Sequence, residues 1–124
     1  MINNLKEYIE ELKQKNELWR FYKTKEWIQL RDSILEKYNH ECQVCRANGI
    51  ITRYDIEPDG TKRLIKTVHH VQFVRKHPEL ALSEYYYYKG EQKRNLIPVC
   101  KACHNKLHPE KQSRGEHFQN KERW

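Results

Sequence analysis

The residues of this chain that could do chemistry fall into two sets. Cys42 and Cys45 form one CxxC pair, and Cys100 and Cys103 form a second. Four thiolates brought together make a closed tetrahedral site for Zn2+. The alternatives are two disulfides or four free thiols. Inside a cell, where thiols stay reduced, paired CxxC motifs favour metal. A site with four protein ligands has no open position, so its expected role is structural. The second set is the doublet His69-His70, then Asn95, His104 and His108. An imidazole with an ordinary pKa near ~6.5 is mostly neutral at pH 7, and can bind a metal ion or accept a proton. These offsets point to a second metal centre. His104 and His108 stand at i and i+4, on one face of a helix. Cys103 and His104 are neighbours, about 100° apart around the helix axis. One short helix can therefore serve two metals. His40, His77 and His117 match no pattern.

Several elements must position these groups. Leu5, Tyr8, Ile9 and Leu12 have helical spacing, which predicts an amphipathic helix over 4–17. Its apolar face would dock on the body of the domain or on a second copy. Thr24 is a candidate N-cap for a second helix reaching Tyr38, with Trp27, Leu30, Ile34 and Leu35 on its inner face. Residues 50–56 and 63–71 are β-rich around the turn Pro58-Asp59-Gly60, which predicts a hairpin ending at the His doublet. Neighbours on a regular strand point to opposite faces. For His69 and His70 to share one site, the backbone there should be irregular. Pro78 opens a short helix with a stop near Lys89-Gly90. Tyr85–Tyr88 within this stretch would be partly buried and partly exposed. Leu96–Val99 reads as a strand kept to an edge by Pro98. A helix over 101–108 follows, ended by Pro109.

The chain has 124 residues, 37% hydrophobic and 33% charged, which is one domain with a thin core. Such folds usually need a staple. The formal charge of +7 suits a polyanionic partner, nucleic acid first. The first nineteen residues are charged and polar, unlike a secretory signal, and no apolar run approaches a membrane span. The expected setting is intracellular, with no membrane partner.

The run from Asn95 to His108, with Cys100, Cys103 and His104 inside it, and the doublet His69-His70 resemble the HNH endonuclease family. They are most similar to its small, zinc-stapled phage members with the order CxxC, HH, N, CxxCH and a further His. The segment from Phe21 to Arg31 resembles the helix before the first knuckle in those proteins. The resemblance implies an α+β fold: a ββα-metal (His-Me finger) core, a structural four-cysteine zinc site and N-terminal helices. It covers roughly 19–108 and implies a nuclease domain over 19–110; it is silent on the amphipathic helix of 1–18 and on the polar, flexible tail over 111–124, which are read from residue pattern and composition. It implies His69, His104 and in some members His108 as ligands of a catalytic divalent ion, Mg2+, Mn2+, Ni2+ or Zn2+. His70 would be the general base, and Asn95 would tie down the loop that positions it. The implied activity is hydrolysis of DNA phosphodiester bonds, with nicking natural for a single site. The rival is a non-catalytic zinc-dependent DNA-binding module. Lys66, Arg75, Lys76, Lys93, Arg94, Lys101 and Lys106 flank the motif and are candidates to hold the DNA backbone. A homodimer, or a partner in phage packaging such as a terminase, would fit the same picture, as would the cytoplasm of a bacterial or phage-infected cell.

Overall fold

The computed structural model describes residues 4–107. The expected ligand His108 and the tail over 111–124 lie outside the described residues. The first helix, α1 (Leu5–Gln14), is capped by Asn4, whose side chain accepts from the Glu7 amide. Ile9 and Leu12 on its inner face are buried in the same core as Val74 and Ala81, so α1 docks on the body. Lys13 fastens it further by donating to the Arg75 carbonyl at 2.8 Å. A 3-10 turn (Leu18–Lys23) leads into α2 (Lys25–Lys37). Thr24 caps α2 by accepting from the Trp27 amide, and Trp27, Ile34 and Leu35 are its buried face. Asn39 and His40 both have positive φ, which ends the helix. His40 then ties this break to the rest of the fold, its Nδ1 donating to the Ile65 carbonyl at 2.8 Å. A short α3 (Gln43–Ala47) carries the first knuckle.

Among the described residues six strands form three antiparallel pairs: the hairpin of β1 (Tyr54–Ile56) with β2 (Lys62–Leu64), the ladder of β3 (Thr67–His70) with β6 (Leu96–Val99), and the hairpin of β4 (Tyr85–Tyr88) with β5 (Glu91–Arg94). The β-rich run expected over 63–71 is thus two strands. Buried Ile65 marks the break, and β2 and β3 pair with different partners. The ladder β3–β6 is the centre of the molecule. α2 packs against it, and α4 (Lys101–Lys106) contacts β3. Pro98 sits opposite Val68 on a strand with one neighbour, as its missing N–H requires.

Two further expectations are corrected. The helix opened by Pro78 is one 3-10 turn, Pro78–Leu80, and does not reach Lys89. The tyrosine run forms β4 instead. Aromatic residues favour strands, and Lys89 (φ 52°) with Gly90 (φ 81°) supplies the two-residue turn with both φ positive that suits a tight hairpin. The backbone at the His doublet is also regular. His69 pairs with Ile97 and His70 with Leu96, in register with the rest of β3. The two rings therefore leave the strand on opposite faces.

Candidate active site and metal centre

α3 and α4 bring the four cysteines together. Cys42 is the N-cap of α3 and Cys100 the N-cap of α4. Cys42 Sγ accepts from the Cys45 amide at 3.4 Å, the hydrogen bond that shapes a metal knuckle. All four sulfurs lie within 4.8 Å of one another, and none forms a disulfide. Cys45 Sγ and Cys103 Sγ are 3.7 Å apart. A tetrahedron with Zn–S bonds of about 2.3 Å has sulfurs roughly 3.8 Å apart, so the donor set fits such an ion. Burial pushes the Cys103 and Cys100 thiols up, while a hydrogen bond from Thr52 lowers Cys45. Binding a metal here would therefore displace protons. Among the described residues this is the one group of three or more His, Cys, Asp or Glu placed to hold an ion.

The imidazoles form two separate arrangements. His69 leaves β3 on the side that meets His104 of α4. Their ring centroids are 5.2 Å apart and nearly perpendicular, and the two side chains are 5% and 1% exposed. Phe73 lies edge-on to His69 at 6.0 Å. Cys103, one residue earlier on α4, belongs to the thiol cluster, so this helix carries one residue of each group.

His70 enters the opposite layer. Its ring stacks on Trp27 at 4.7 Å, with Phe21 and Tyr22 around it. Nε2 lies 2.9 Å from the Ala81 carbonyl. A carbonyl only accepts, so Nε2 carries the proton and Nδ1 the lone pair. Burial lowers the His70 pKa to about 4, with the Ala81 carbonyl pulling weakly the other way. The ring is neutral at pH 7. The Ala81 carbonyl is itself held. Asn95, fully buried, donates through Nδ2 to the carbonyls of Leu80 (3.0 Å) and Ser83 (2.9 Å), which bracket Ala81, and accepts at Oδ1 from the Gln72 amide (2.9 Å). One side chain thus closes the loop over 71–84.

In three dimensions the chain is similar to the HNH endonuclease of a deep-sea thermophilic bacteriophage, GVE2, in its crystal structure with a manganese ion. The two are 26% identical, the match covers 91% of this chain and 100% of that one, and the TM-score is 0.57. The chain has the fold of the HNH endonucleases. No protein-family model and no curated protein matches it.

Within this HNH fold the expected DNA-contacting cations are spread over several surfaces. Arg75 and Lys76 lie on the loop after β3, Lys93 and Arg94 on β5, and Lys106 in the last turn of α4. Arg94 is already engaged, donating to Gln43 at 2.8 Å and lying over the Tyr38 ring. Lys66 and Lys101 meet in one cavity with Lys23, Arg31 and Arg63. Arg63 had no motif to mark it, and it reaches the cavity only because β2 pairs with β1. Among the described residues no helix is long and apolar enough to cross a membrane.

Proposed function

We propose that the protein is a metal-dependent HNH endonuclease that hydrolyses DNA phosphodiester bonds, nicking one strand per encounter. The observation that carries this reading is the clamp from Asn95 through the Ala81 carbonyl to His70, in a chain that also pairs His69 with His104. His69 and His104, with His108 as a third candidate, would hold a divalent ion, Mg2+, Mn2+, Ni2+ or Zn2+. The ion would supply Lewis-acid stabilisation of the phosphate and of the departing 3′ oxygen. His70 supplies the base: its lone pair on Nδ1 takes a proton from water as the water oxygen bonds to phosphorus. The P–O3′ bond breaks, leaving a 5′-phosphate and, after proton uptake from solvent, a 3′-hydroxyl. The Ala81 carbonyl keeps the proton on Nε2 and so keeps Nδ1 free to act. Cys42, Cys45, Cys100 and Cys103 would hold a structural Zn2+, as their spacing fits. The DNA would be intracellular, and cutting both strands would take a second copy or a second encounter.

One observation favours a second reading, a zinc-dependent DNA-binding module without nuclease activity. His70 is packed like a core residue, on the face of β3 away from His69 and His104. As a base it would have to leave the Trp27 stack to reach a water near the ion. His69 and His104 are buried too, so a phosphate would reach them only after the covering chain moves.

Supercoiled plasmid cleavage decides between the two. Metal-stripped protein is resupplied with Zn2+ and then with Mg2+, Mn2+ or Ni2+, with His70→Ala in parallel. The nuclease reading expects nicked circles from the wild type and at least ~10²-fold less from the variant, the usual worth of a general base. DNA binding without nicking under any ion would move the binding-module reading to first place.

A further inference from the structure

A cavity of about 780 Å3 lies between α2, the turn before it, and the β1–β2 hairpin, apart from the His69–His104 pair. Five cations line it, Lys23, Arg31, Arg63, Lys66 and Lys101, and each of the first four comes from a different element or link. Two acids, Asp55 and Glu57, are also present but are engaged within the fold. Asp55 Oδ1 accepts from the Lys101 amide at 2.9 Å. Glu57 takes Lys101 Nζ at 3.3 Å and Arg63 at 3.8 Å. Asp32 takes Arg31 at 2.8 Å. Among the described residues Lys23 and Lys66 form no ion pair, and both are exposed. They carry the uncompensated charge of this cavity.

The walls have a second property. Tyr22 and Trp27 line the cavity, and Trp19 stands at its rim, 40% exposed. Trp27 and Tyr22 are also the rings that contact His70, so the cavity ends at the wall behind that residue. Converging cations with aromatic walls are the chemistry that holds a single nucleic-acid strand, the cations tracking the phosphates and the rings receiving bases. A space of this size is in the range of small-ligand sites, so an unpaired nucleotide can enter it, whereas the bases of a duplex are held in their stack.

We propose that this cavity binds an unpaired DNA strand, with Lys23 and Lys66 on phosphates and Trp19 stacked on a base. The choice of DNA rests on the nuclease reading above. With that reading, the preferred substrates carry an unpaired strand beside the cut, such as a flap or a bubble.

The test is fluorescence anisotropy with the zinc-loaded full chain, using a fluorescein-labelled oligothymidylate and a duplex of equal length, each shown intact by gel. The groove variant is Lys23→Glu/Lys66→Glu, and the control is Lys6→Glu/Lys15→Glu, which reverses the same charge on exposed positions of α1 and its C-terminal end. Circular dichroism and zinc content establish that both are folded. The expected result is at least a tenfold loss of oligothymidylate affinity in the groove variant, with the control and the duplex little changed. Lys23→Ala/Lys66→Ala should flatten the salt dependence for the oligonucleotide by about 1.4 in log–log slope, roughly 0.7 for each phosphate no longer neutralised. Trp19→Ala should weaken binding about tenfold. The proposal fails if the groove variant binds oligothymidylate like the wild type, or if the control or the duplex loses as much. Binding is read without cleavage. A chain that holds the strand through these lysines but never nicks defeats the nuclease reading alone, and one that nicks while the groove variant binds normally defeats the cavity proposal alone.

Discussion

His70 donates its Nε2 proton to the Ala81 carbonyl and lies flat on Trp27, so the fold selects the neutral ring. Burial holds its pKa near 4, below the ~6.5 of an exposed histidine. A group whose folded pKa is depressed in this way contributes stability that is complete above the unfolded value and is lost as pH falls toward the folded one. The window is therefore pH 6.5 to 4. At pH 5.5 the loss should be about 1.4 kcal/mol, while at pH 7.5 it is near zero. Denaturant unfolding of wild type and His70→Gln at both pH values isolates this contribution, because any loss of metal from the thiol cluster would affect the two proteins alike. The stability difference between them should narrow by about 1.4 kcal/mol at pH 5.5; a difference that does not change with pH would mean that the ring is not held neutral by burial. The same neutrality leaves Nδ1 unprotonated at pH 7, but with its pKa near 4 the buried ring is a weak base until it leaves the Trp27 stack. The doublet itself is plain in the sequence, but its division between two faces is not. Which face His70 takes is set by α2 and Trp27, more than forty residues upstream, through a docking that no local pattern records.

At the scale of elements, the loop over 71–84 has almost no regular structure, and Asn95 holds it from the start of β6. The side chain makes three hydrogen bonds, two of them to carbonyls that flank Ala81. Asn95→Ala would leave one amide and two carbonyls without these partners in a buried place, at ~1–3 kcal/mol each where water cannot enter. A loss of about 3 kcal/mol is the expected total, since the loop can relax. The variant should keep its thiol-bound metal, and the loop should become the first site of limited proteolysis. Wild-type protease resistance in that loop, with unchanged melting, would contradict the clamp. The asparagine is legible as a positioning residue only through the family resemblance; the hydrogen bonds that explain it join positions 12 to 23 residues apart. The β4–β5 hairpin is hidden for a different reason. Pro78 can open a helix as readily as a single turn, and Lys89-Gly90 can end a helix as readily as it turns a hairpin. The base of the hairpin is fixed to the body, with Lys37 bonded to Glu84 and to Tyr85 Oη, and Arg94 bonded to Gln43. These surface contacts are worth little singly, on the order of ~0–1 kcal/mol each. The hairpin is therefore expected to open before the β3–β6 ladder.

For the whole molecule the question is what holds the N-terminal helices to the C-terminal motif. With 37% hydrophobic residues, the buried core is small, and α2 meets the β3–β6 ladder through few large side chains such as Trp27, Ile34 and Leu35. The thiol cluster joins α3, which follows α2, to α4, which follows β6. Its two knuckles are readable in the sequence because each is local, a Cys at a helix start and another three residues on. Their meeting needs only that the chain fold once. The free energy of such a site in small zinc-folded peptides, ~10–16 kcal/mol, matches or exceeds the whole stability of an ordinary domain, ~5–15 kcal/mol. Without the metal, four thiols packed together offer only weak hydrogen bonds, and burial keeps Cys100 and Cys103 protonated. The chain stripped of metal should therefore lose its cooperative melting transition, and Cys42→Ser should behave the same way. His69→Ala should melt lower, by the ~2–5 kcal/mol that emptying a buried site costs, yet still cooperatively and with its thiol-bound metal retained, because the His69–His104 pair joins only β3 to α4, two elements already packed together. Thermal circular dichroism of all four samples, with bound zinc counted in each, separates the two centres. If the stripped chain melts cooperatively at the wild-type temperature, the cysteines are not the staple of this fold, and the small core must be sufficient by itself.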